Sequence, residues 1–66
     1  MAEYQGRYET LQVYRTTINN GYGSDGEPAV HFAILNSDSG EQEATIDLTL
    51  DQAELLLVQL MKAVCA

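Results

Sequence analysis

Residues 43–65 read EATIDLTLDQAELLLVQLMKAVC, and within them the spacing of apolar residues changes from every second position to roughly one in 3.6. Up to Leu50 the alternation is clean. Ala44, Ile46, Leu48 and Leu50 fall on one side and Glu43, Thr45, Asp47 and Thr49 on the other, the pattern of a strand with one buried and one wet face. Thr49-Leu50-Asp51-Gln52 then fits a helix capping box: the threonine hydroxyl is placed for the Gln52 amide, and the Gln52 side chain reaches back. Asp51 complements the helix dipole.

Winding residues 50–65 as a helix at about 100° per residue gathers Ala53, Leu56, Leu57, Leu60, Met61 and Val64 on one broad side, the side expected to face a sheet. Leu55 and Val58 project onto the opposite, more polar side beside Lys62, so the apolar run surrounds the helix instead of striping it. These three residues are the expected surface for self-association or a partner. A two-fold homodimer is the commonest closed assembly.

Upstream, Tyr8 to Ile18 is rich in β-branched and aromatic residues and runs into a dense set of turn formers from Asn19 to Gly26. Ala29 to Asn36 alternates Val30, Phe32 and Ile34 with His31, Ala33 and Leu35, largely apolar on both faces, as a central strand would be. Ser37-Asp38-Ser39-Gly40 is a hairpin turn. The expectation is therefore one α+β domain over residues 1–66: a seven-residue N-terminal extension, a three-stranded antiparallel meander (about 8–18, 29–36 and 43–49) and a C-terminal helix (about 50–65) packed on it.

Composition narrows the function classes. With 66 residues and one cysteine, Cys65, neither an intrachain disulfide nor a cysteine-based zinc site can form, and oligomerisation is the expected supplement to so small a core. Ten acidic residues against three basic ones give a net charge of -7. Between Arg15 and Lys62 there is no lysine or arginine, so the acidity belongs to the folded middle. Such a surface repels nucleic acid and anionic membrane and favours a protein with a basic surface. No apolar run approaches the length of a bilayer span, and residues 1–6 lack the basic and apolar regions of a signal peptide. A cytoplasmic protein is expected.

The motifs with a chemical precedent lack the context that chemistry requires. Gly21 to Gly26 spells G-x-G-x-x-G, but no helix follows to aim amides at a phosphate. Ser24 to Glu27 and Asn36 to Glu41 superficially match calcium loops. In the second the glycine comes one place early and the flanks read as strands. His31 has no second histidine or cysteine nearby and reads as a hydrogen-bonded sheet residue, and Cys65 has no cluster of basic neighbours to activate it. Neither enzyme activity nor a cofactor is expected.

Two further surfaces are candidates for contact. Asp38, Glu41, Glu43 and Asp47 form an expected acidic, partner-binding face; Tyr8, Tyr14 and the loop residue Tyr22 offer aromatic contact area. In size, acidity and lack of a catalytic motif the chain resembles phage-encoded inhibitors of host defence such as anti-CRISPR proteins. That resemblance implies a small inhibitor that self-associates and blocks a basic, nucleic-acid-binding surface, its carboxylates standing in for phosphates. The competing expectation is an assembly subunit docking through its helix, with acidity serving only solubility.

Overall fold

The computed structural model describes residues 1–19 and 26–66. It is an α+β arrangement: a four-stranded antiparallel sheet followed by one helix. The strands are β1 (Ala2–Gln5), β2 (Glu9–Ile18), β3 (Glu27–Asn36) and β4 (Gln42–Thr49), and the helix is α1 (Leu50–Cys65). Spatial order follows sequence order, β1-β2-β3-β4.

The sheet corrects the expected strand count. Residues 1–7 are not an extension, because Ala2–Gln5 pairs along β2 with Ala2 opposite Val13 and Tyr4 opposite Leu11. A tight turn joins the two strands, with the Gly6 amide donating to the Glu9 carbonyl at 2.7 Å. The AEYQ segment carries little strand preference of its own. The unpaired edge of β2 supplies its hydrogen-bond partners.

The β3–β4 hairpin is built by turn chemistry. Asn36 Oδ1 accepts from the amides of Asp38 at 2.9 Å and Ser39 at 3.1 Å, and Gly40 adopts a left-handed φ of 73° that favours glycine. Register then slips between Ile34 and Leu35, leaving Glu43 as an unpaired bulge residue on β4. Beyond the bulge, Phe32 pairs Ile46 and Val30 pairs Leu48.

Strand parity sorts the two faces. Tyr4, Leu11, Val13, Phe32, Ile34 and Ile46 share the face over which α1 lies. Thr10, Gln12, Tyr14, Thr16, His31, Thr45 and Asp47 share the other, together with Ala29 and Ala33. Those two alanines, 0% and 3% exposed, are the buried hydrophobic residues among those described. Each sits between longer neighbours: Ala29 between Thr16 and Thr49, Ala33 between Gln12 and Thr45. The face away from the helix is thus covered by its own side chains.

The apolar face is not. The capping box forms as its sequence requires, with the Gln52 amide donating to Thr49 Oγ1 at 3.3 Å and the Thr49 amide donating to Gln52 Oε1 at 3.1 Å. The expectation that the sheet would cover the Ala53-to-Val64 side of α1 is overturned. Leu56, Leu57, Leu60, Met61 and Val64 all remain exposed, and no helix residue is buried. The sheet is not fully covered either: four strands about 4.8 Å apart span roughly 19 Å, and one helix about 10 Å across covers half of that.

Candidate functional site

A site must be assembled from what the fold leaves uncovered. Where α1 crosses the sheet, an apolar cleft opens on either flank, and Leu11, Phe32 and Leu56 line both. On one flank Ile34, Ala44, Ile46 and Leu48 form the floor. On the other, Tyr4 and Val13 lie beneath Ala53, Leu57 and Leu60. The outer side of the helix adds Leu55, 66% exposed, and Val58, 45% exposed. Exposed apolar residues therefore lie on the outer side of the helix as well as along both clefts. Sequence reasoning singled out Leu55 and Val58 and missed Leu57, Leu60 and Met61, whose periodicity assigned them to the sheet side and which the sheet leaves exposed.

The whole molecule carries the same imbalance. A folded monomer of 7.3 kDa is expected to expose about 4,200 Å². This chain exposes 5349 Å². Its radius of gyration is 13.8 Å, against about 11 Å for a compact chain of this length. Exposed large apolar side chains grouped on one helix and its flanking clefts mark an interaction surface.

The acidic residues divide into two groups. Asp38 and Glu41 lie in the β3–β4 turn segment, with Glu43 at the bulge just beyond it, accepting from Asn36 Nδ2 at 3.4 Å. Asp47 stands four residues further along β4, about 13 Å away. There its Oδ1 meets His31 Nδ1 at 2.5 Å. Among the described residues no lysine or arginine is paired with a carboxylate, so Asp38, Glu41 and Glu43 face solvent without a cationic side chain against them. Of the four residues expected to form an acidic face, the fold brings three together and commits the fourth to a histidine.

That histidine is the centre of a row across three strands. Tyr14 on β2 pairs His31 on β3, which pairs Asp47 on β4. The Tyr14 and His31 rings are 4.8 Å apart with planes tilted by 40°. His31 is thus the hydrogen-bonded sheet residue expected of it, its side chain 18% exposed. The row was legible in principle, because His31 and Asp47 are equidistant from Ser39 at the hairpin tip. Tyr14 faces away from the helix, as strand parity requires. Tyr8 instead lies in the β1–β2 turn, with its carbonyl accepting from the Ser37 amide at 3.2 Å and the Arg7 guanidinium 5.9 Å from its ring centroid.

Tyr22, most of the Gly21-to-Gly26 motif and half of the Ser24-to-Glu27 motif fall outside the described residues. Within them, the Asn36 side-chain oxygen of the second calcium-like cluster is occupied by two backbone amides, and no group of three or more metal-ligating side chains stands together. Cys65 is exposed at the end of α1. No helix among the described residues is long and apolar enough to cross a membrane. No family model, curated protein or solved structure matches the chain, so function is argued from these surfaces alone.

Proposed function

We propose that the chain is a non-enzymatic protein-interaction module: a small acidic inhibitor that self-associates through its apolar helix and binds a protein target with a basic surface. The observation that carries this reading is the exposure of apolar residues on the outer side of α1, at Leu55 and Val58, as well as along both clefts. A helix with apolar residues on its outer side as well as its sheet side belongs in an interior. Here a protein surface provides that interior.

The acidic end supports the second half of the reading. Asp38, Glu41 and Glu43 crowd one hairpin and leave their charge unneutralised by any described cation. In this reading they occupy positions that phosphates take on a basic target, in the manner of phage-encoded inhibitors of host defence. The chain itself does not bind nucleic acid, since its net charge of -7 opposes it.

A second reading is favoured by the same helix. In an assembly subunit, α1 docks into a larger protein and the carboxylates only keep the chain soluble. Affinity capture from a host lysate at rising salt separates the two. An electrostatic inhibitor loses its target between low and roughly 0.5 M salt, where screening is nearly complete. A helix-docked subunit keeps it. Reversing Asp38, Glu41 and Glu43 together abolishes capture under the inhibitor reading; retention of the target by that variant contradicts it.

A further inference from the structure

The geometry points to a second copy of this chain as the occupant of the outer helix surface, packed antiparallel about a two-fold axis at Val58. This deepens the self-association in the proposed function and rests on it. Two observations commit to this occupant.

The first is area. The chain exposes 5349 Å², about 1,200 Å² more than a folded monomer of its mass is expected to show. Stable homodimers bury about 2,000–5,000 Å² in total, or roughly 1,000–2,500 Å² from each copy. That surplus is spread over the clefts and the helix, and the outer helix surface supplies part of such a share.

The second is charge complementarity with itself. At about 100° per residue, Asp51, Leu55, Val58, Lys62 and Cys65 form a seam spaced alternately four and three residues apart, the spacing of a helix-pairing stripe. All five are exposed. Glu54 and Lys62 are equidistant from Val58, one on either side along the helix, and within about 40° of its direction. A two-fold axis through Val58 therefore sets Glu54 of each copy level with Lys62 of the other, making two opposite-charge pairs. Leu55 and Val58 are enclosed between them. A parallel pairing would instead align glutamate with glutamate and lysine with lysine. Since each chain carries a net charge of -7, the helix seam is where attraction between copies is available, Lys62 being the one basic residue after Arg15.

The axis makes a direct geometric demand. Helices packed at about 8–10 Å with a Cα radius of 2.3 Å bring the two Val58 Cα atoms to about 3.5–5.5 Å, which overlaps disulfide reach. In a Cys65→Ser background, Val58→Cys is expected to convert most of the protein to a disulfide-linked dimer under mild oxidation. Gln59→Cys, one residue round the helix, remains uncrosslinked. Charge exchange checks the pairing without a thiol. Glu54→Lys and Lys62→Glu each weaken self-association by about tenfold, two pairs being lost and replaced by repulsion. The double exchange restores it to within about threefold.

The outcomes separate the two levels of the account. A chain that sediments as a dimer but crosslinks through Gln59→Cys and not Val58→Cys, or whose double exchange stays as weak as the singles, overturns the antiparallel register and leaves self-association standing. A chain that sediments as a monomer at every concentration overturns both.

Discussion

Asp47 on β4 reaches His31 on β3 at 2.5 Å from Oδ1 to Nδ1, directly across a register pair, and Tyr14 stacks against the same ring from the other side. This contact gives Asp47 a structural role that Asp38 and Glu41 do not share. Asp47→Ala is expected to lower unfolding stability by about 0.5–1.5 kcal/mol, the value of a side-chain hydrogen bond at a partly exposed site. Urea denaturation at fixed chain concentration measures it. Asp38→Ala and Glu41→Ala should stay within about 0.5 kcal/mol of the parent. Equal effects at all three positions would mean the pair contributes nothing.

The Thr49–Gln52 capping box holds the start of α1, and α1 carries the proposed interface. Thr49→Ala leaves first-turn amides without a side-chain acceptor and should cost about 1 kcal/mol. Thr49→Asn, which keeps a capping acceptor, should restore most of it. Thermal melts followed by far-ultraviolet circular dichroism read both. Indistinguishable melts would show that the helix is held by packing and not by its cap.

Tyr4 tests the fourth strand. Its ring lines a cleft with Leu11 and Val13 and its backbone pairs Leu11. Tyr4→Ala should destabilise the protein by about 1 kcal/mol through loss of cross-strand packing. A change within about 0.5 kcal/mol is what an unattached extension would give, and would contradict β1.

What the sequence made legible were features decided locally. The strand from Glu43 to Thr49, the capping box and the Asn36-to-Gly40 turn each depend on residues within a few positions of one another, and each appears where those residues place it. The face of β4 expected to be buried is nevertheless open, with Ala44 exposed and Ile46 58% exposed. β1 was hidden because Ala2–Gln5 becomes a strand through its pairing with β2, a relation that its own four side chains do not encode. The bulge at Glu43 depends on the register of two strands, and strand preference alone does not set it. The helix was half legible. Its periodicity separates Leu56 and Leu60 from Leu55 and Val58, but it cannot state how much sheet one helix leaves bare. The candidate site is that uncovered remainder. The residues flagged for it from sequence were a subset of those the fold exposes.

Association between copies is proposed to cover the Leu55 and Val58 side of α1, and sedimentation of the unmodified chain over low to high micromolar concentration reads it out. The account predicts a species of twice the chain mass that dissociates on dilution, and a shift to the single-chain mass in Leu55→Glu with circular dichroism retained. A folded chain sedimenting at its single-chain mass throughout, with Leu55→Glu behaving identically, would contradict it.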